Sequence, residues 1–149
     1  MCIDLISSAK LGCGPSMRGM YMVKQIIGDP LVINGRRLSL SRAVRAGDFV
    51  FLTGQVPMQN NSIMTNGEIE DQTRAVLDDI TETLKLAGCD RSDVVKSMVW
   101  LTSREDFPGF NAVYAEYFPE NPPARSAIVS DLLVDVKVEI EVIAYKPQP

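Results

Sequence analysis

Residues Val136 to Ala144 read Val-Lys-Val-Glu-Ile-Glu-Val-Ile-Ala, so that Val136, Val138, Ile140 and Val142 point to one side of an extended chain and Lys137, Glu139 and Glu141 to the other. A strand of this kind demands an apolar core on one face and a charged surface on the opposite one. The segment before it, Pro122-Pro123-Ala124-Arg125-Ser126, runs into a further strand. If the two strands pair directly through the short Asp131 to Asp135 connection, Arg125 falls opposite or diagonal to Glu139 and Glu141. An arginine facing two carboxylates can bind an anion and activate a water. Alternating charges on a strand more often make only a solvated face, and an arginine–glutamate pair there only a surface ion pair.

Upstream, Leu38 to Val44 and Phe49 to Val56 read as a hairpin turning at Ala46-Gly47-Asp48. A polar loop from Gln59 to Gly67 leads to a helix over Glu70 to Ala87. There Val76, Leu77, Ile80, Leu84 and Ala87 recur at helical spacing, and Gly88 supplies the stop. A strand over Val94 to Thr102 follows. Asp106 and Pro108 then open a second helix that ends near Phe118. Its aromatic residues Phe107, Phe110, Tyr114, Tyr117 and Phe118 read as core, and Asn111 lies off that stripe. This order predicts an α+β domain, a mixed β-sheet with two helices packed on one face. The uncovered face must meet water or another subunit.

The chain has 149 residues, 46% hydrophobic and 23% charged, which suits one domain over residues 28–149 behind a flexible N-terminal extension over 1–27. In that extension Gly12-Cys13-Gly14-Pro15 reads as a turn, since no strand precedes it and no Gly-Lys-Ser/Thr follows. A net charge of −4 argues against nucleic acid as a partner. With no histidine, the commonest general base and most mixed metal sites are absent, so no metal site is expected. The three cysteines are widely spaced and suggest neither disulfides nor zinc. No segment resembles a secretory signal or a membrane span, which predicts a cytoplasmic protein without a membrane partner.

Pro123-Ala124-Arg125-Ser126 together with Val138-Glu139-Ile140-Glu141-Val142-Ile143-Ala144 resembles the C-terminal signature of the RidA/YjgF family of reactive imine deaminases. Arg42 to Pro57, with Leu52-Thr53-Gly54-Gln55-Val56-Pro57, resembles that family's first hairpin. Phe107 to Phe118, with Asn111, resembles its second helix. The likeness covers about residues 35–146.

What the resemblance implies is a chorismate-mutase-like fold, a homotrimer with clefts between neighbouring subunits, and hydrolysis of 2-imino or enamine acids to 2-keto acids and ammonium without a cofactor. The substrates would be of the 2-aminoacrylate, 2-iminopropanoate or 2-iminobutanoate type. Arg125 would grip the substrate carboxylate through a bidentate fork. Glu139 would orient or deprotonate the attacking water, provided burial or Glu141 raises its pKa. Asn111, Thr53, Gly54 and Leu40 would contact substrate, Leu40 standing where active members carry an aromatic residue. Ala127 replaces the cysteine that many members carry, and the Arg125–Glu139 interval is one residue shorter than in the best-known deaminases. These departures keep open a non-catalytic small-carboxylate-binding protein of the same fold. The endoribonuclease role attached to some members fits poorly with the acidic charge and the missing histidine.

Overall fold

A computed structural model describes residues 24–33 and 35–148; the expected turn at Gly12 to Pro15 lies outside the described residues. In chain order the elements are β1 (Gln25–Ile27), β2 (Val32–Ile33), β3 (Arg36–Arg37), β4 (Ala43–Ala46), β5 (Phe49–Leu52), β6 (Met58–Gln59), β7 (Ser62–Ile63), α1 (Ile69–Leu86), β8 (Val94–Leu101), α2 (Phe107–Tyr117), β9 (Ala124–Val129) and β10 (Val138–Tyr145). Six of the strands form one sheet in the order β1-β4-β5-β10-β8-β9. β8 and β9 run parallel and the remaining neighbours antiparallel, so the sheet is mixed, as expected.

The alternation in β10 works as its sequence demands. Val138, Ile140, Val142 and Ala144 are buried while Glu139, Glu141 and Ile143 face the other way. Their neighbours in register, Val50, Leu52, Val99 and Leu101, are buried on the same side, beneath Val76, Leu77, Ile80 and Leu84 of α1 and Phe110 and Val113 of α2. Both helices therefore cover one face. Each fully buried branched side chain contributes roughly 1.5–3 kcal/mol. A single truncation such as Ile140→Ala, in the middle of this layer, costs about 2–5 kcal/mol once the cavity is included.

α1 stops where Gly88 adopts φ 70°, and the Gly88 and Cys89 amides donate to the carbonyls of Lys85 and Leu84. These two bonds satisfy the last turn of the helix, and a side chain at Gly88 would strain that left-handed backbone. The buried Arg45 adds a second closure, donating to the Ala87 carbonyl at 2.7 Å and the Lys146 carbonyl at 3.2 Å.

Several expectations are corrected. The first strand of the main hairpin begins at Ala43, not Leu38, because residues before it are spent on the small β2–β3 pair and the Leu38 amide donates to the Leu31 carbonyl. Residues 25–27, counted with the N-terminal extension, form an edge strand on β4, where Ile27 is buried. The polar run after Gln59 includes a second small hairpin, β6–β7, turned by Asn60 and Asn61 at φ 51° and 60°, conformations asparagine tolerates.

The largest correction concerns β9. It pairs with β8 in parallel, Arg125 opposite Ser97, and not with β10. A strand that follows a helical crossover can return parallel beside the strand it left, and the two edges of β10 are already held by β5 and β8. β10 thus lies one strand further from Arg125 than direct pairing would place it.

The face opposite the helices is more apolar than its charges suggest. Ile26, Phe49, Phe51, Ile128 and Tyr145 are all exposed there, and the Phe49 and Tyr145 rings lie 5.1 Å apart.

Candidate functional site

The predicted site residues separate into two groups. Arg125 faces the helices, like its register partner Ser97, and its guanidinium meets α2. Its Nη2 donates to Asn111 Oδ1 at 2.8 Å, and its Cζ lies 4.5 Å from the centre of the Tyr114 ring, 5.3 Å from Phe110 and 5.8 Å from Phe107. Three aromatic faces and one amide hold the charge in place, an arrangement worth up to about 2 kcal/mol where the cation is partly desolvated. Among the described residues Arg125 makes no ion pair. The guanidinium keeps donors for an incoming anion.

Glu139 leaves the sheet on the opposite face, in register with Trp100 of β8. It is half-buried, and that burial, followed by the charge of Glu141, pushes its carboxyl above the usual carboxylate range. Its carboxylate packs against the backbone of Gly54. Phe51 pairs with Ile143 and Gln55 bridges Ile140, so Leu52, Thr53 and Gly54 face only Val142 and Glu141. This is a one-residue bulge, and it turns Gly54 toward Glu139. A methyl group on Gly54 would overlap the Glu139 carboxylate, with Cδ only 3.1 Å away. Thr53 and Gly54 are therefore more than a strand end: the bulge brings backbone beside the one carboxylate, among the described residues, whose proton affinity is raised.

Leu40 lies away from both charges, on the wall of a cavity of about 920 Å³ that Thr53 and Gly54 also line. Thus the fold sets Glu139 against the Thr53–Gly54 bulge and Arg125 against Asn111, while Leu40 shares only the cavity wall with Thr53 and Gly54. Direct cross-strand pairing of Arg125 with Glu139 or Glu141 does not occur within one chain. Glu141 keeps a role as the neighbour that helps raise Glu139.

The aromatic stripe of α2 does more than fill the core. Phe110, Tyr114 and Phe118 are buried, but Phe107 is 41% exposed, and Phe107, Phe110 and Tyr114 together form the bed of Arg125. The spacing of these residues was readable; the strand that would lie over them was not. Burial also raises the Tyr114 hydroxyl above its ordinary range, and that hydroxyl and Ser97 Oγ are enclosed without hydrogen-bond partners among the described residues. Among the described residues no group of three or more acidic or cysteine side chains is placed to hold a metal.

The family profile described as Endoribonuclease L-PSP matches residues 36–146. The chain belongs to the RidA/YjgF family. A RutC family protein of Pyrococcus horikoshii is 48% identical over 108 residues, 71% of this chain and 86% of that protein. Reactive Intermediate Deaminase A, chloroplastic, of Arabidopsis thaliana is 41% identical over 106 residues, 70% of this chain and 57% of that protein. Among solved structures, yeast Mmf1 superposes with a TM-score of 0.76 at 29% identity, covering 83% of this chain and 99% of Mmf1. A Rid-family protein of Yersinia pestis does so with a TM-score of 0.74 at 30% identity, covering 83% and 99%. At the family level the chain is a RidA-type protein related to imine deaminases. No helix among its described residues is long and apolar enough to cross a membrane.

Proposed function

We propose that this RidA/YjgF protein hydrolyses 2-imino acids, and the enamines in equilibrium with them, to 2-keto acids and ammonium, using a site assembled from two copies of the chain. One copy supplies Arg125 with Asn111, and its neighbour supplies Glu139 with the Thr53–Gly54 bulge. The observation that carries the reading is the state of Arg125: half-buried on an aromatic bed, tethered by one amide, and without a carboxylate partner among the described residues. A guanidinium so held is preorganised for a bidentate grip on a substrate carboxylate.

The chemistry needs a base and no redox partner. Glu139 takes a proton from water as the water oxygen bonds to the carbon of the protonated imine, C=NH2+, and the π electrons pass to nitrogen, leaving a neutral carbinolamine. Glu139 returns that proton to the –NH2 group; the C–N bond then breaks as the hydroxyl O–H electrons form C=O, and the hydroxyl proton passes by way of Glu139 to the departing NH3, which leaves as ammonium. A glutamate with a raised pKa is a better base for this than an ordinary one. As written, the reaction uses no cofactor.

Separation of Arg125 and Glu139 within one chain, together with the exposed apolar sheet face, supports assembly as the source of a complete site; three copies around an axis is the arrangement the family resemblance suggests. The test follows the decay of 2-iminopropanoate, generated in place by an amino-acid oxidase, with the wild type and with Arg125→Ala. Acceleration by the wild type that is lost in the folded variant supports the deaminase. A fully active Arg125→Ala overturns it. Keto-acid binding without ammonium release assigns the protein to carboxylate capture instead.

A further inference from the structure

Glu139 belongs to a row that crosses the outer face of the sheet: Gly54, Glu139, Trp100 and Ile128. Trp100 of β8 is the register partner of Glu139 on one side and of Ile128 on the other, and Gly54 lies against the carboxylate from the opposite direction. Val99 and Leu101, which flank Trp100 on its strand, are buried with the core, so the indole stands on the same face as Glu139. Side chains directly opposite in antiparallel strands have Cβ atoms about 4.5–5.5 Å apart, well within the span of an indole. Trp100 is half-buried there, and it is the single tryptophan of the chain.

The charged groups on this face are few. On β10 Glu141 follows Glu139, and Lys137, which precedes it, pairs with Asp106 at 3.7 Å. On β8 the charge is Lys96, held by Ser126 Oγ of β9 at 2.9 Å. The other facing positions, Gly54, Phe51 of β5 and Ile128 of β9, carry no charge.

Resting on the deaminase reading for its kinetic consequence, we propose that Trp100 is a positioning residue for Glu139: its indole keeps water off the carboxylate on the side away from Gly54, making a base of what would otherwise be a solvated surface charge. A carboxylate shielded from water holds its proton more tightly, and the indole is the bulkiest apolar group in the row. Burial leads the causes of the raised proton affinity of Glu139, and no hydrogen bond to the carboxylate offsets it. Opening position 100 to water leaves the core intact, because the helices pack on the other face. Trp100→Phe keeps an apolar ring in the row. Trp100→Thr suits a strand and removes the ring.

Carbon-13 NMR of protein labelled at the glutamate carboxyls reads the titration without turnover, Glu139 being the resonance missing from Glu139→Gln. The wild type is expected to titrate above the ordinary carboxylate range, Trp100→Phe close to the wild type, and Trp100→Thr at lower pH. Wild-type tryptophan fluorescence is expected to change over the same interval as the Glu139 resonance and to lose that transition in Glu139→Gln. This reading needs no variant at position 100, so it decides the matter if Trp100→Thr fails to fold. An unmoved Glu139 titration in folded Trp100→Thr overturns the proposal, as does indole emission indifferent to Glu139. In imine hydrolysis the acid limb of kcat/KM moves to lower pH in Trp100→Thr and the neutral plateau falls several-fold, since a weaker base takes the proton of water less readily; Trp100→Phe restores both. A shifted titration with no hydrolysis by the wild type keeps the pairing of Trp100 with Glu139 and removes the deaminase. Hydrolysis with an unmoved titration keeps the deaminase and removes the pairing.

Discussion

Arg125 and Glu139 leave the same sheet on opposite faces, the first over the Tyr114 ring and the second against Gly54. One chain cannot bring the carboxylate anchor and the base to one substrate. If neighbouring copies complete each other, Arg125→Ala and Glu139→Gln are each inactive alone but complement when unfolded together and refolded as a mixture. Recovery of about a quarter of wild-type activity is expected, since half of the arginines and half of the glutamates at random contacts are intact. Zero recovery from well-folded mixed assemblies argues for a site within one chain.

The raised pKa of Glu139 sets a pH dependence with a definite sign. As a base it works only when ionised, so kcat/KM rises with pH through an acid limb placed above the ordinary carboxylate range. Removing the lesser cause with Glu141→Gln moves that limb to lower pH, and a profile that does not move separates the base from this pair. Stability runs the other way. The native state holds this proton more tightly than the unfolded chain, so Glu139 favours folding less as pH climbs from the unfolded carboxylate pKa, about 4.3, through its raised native value. Glu139→Gln therefore stabilises the fold at neutral pH, and the gain vanishes in acid, measurable as Tm against pH.

Gly54→Ala probes the bulge. The added methyl meets the end of a flexible side chain, not backbone, so the fold survives while Glu139 is pushed aside. A displacement of this order costs about 100-fold in turnover. Retained activity with an unchanged melting curve removes the Gly54–Glu139 contact from the mechanism.

Arg45→Met tests the closure of α1. Deleting the guanidinium leaves the carbonyl of Ala87, and in part that of Lys146, without a donor. The expected loss is about 2–3 kcal/mol in urea unfolding. A neutral change means water replaces both bonds.

Tyr114→Phe keeps the ring under Arg125 and discards a hydroxyl that is buried without a partner among the described residues. Stability within about 1 kcal/mol of the wild type is expected, with KM unchanged. Tyr114→Leu removes the ring face, and a raised KM with kcat preserved identifies the bed as a holder of Arg125.

What the linear chain determined by itself is local in origin. The period-two alternation of Val138 to Val142 assigned the buried and outward faces of β10, the helical spacing of Val76 to Leu84 assigned the packed face of α1, and Gly88 ended it. Arg125, Glu139, Asn111 and Gly54 were singled out by the resemblance to the RidA/YjgF signature, and the residue types of Arg125, Glu139 and Gly54 suit the roles it implies: forking a carboxylate, carrying a proton and admitting close backbone approach. Which of them meet depended on strand order, a property of contacts distant in sequence that no periodicity encodes. Parallel pairing of β9 with β8 turned Arg125 toward α2 and made an aromatic bed of what read as plain core. A bulge one residue long turned Gly54 onto Glu139. Side-chain type sets what each residue can do, and only the packed sheet decides which residues do it together.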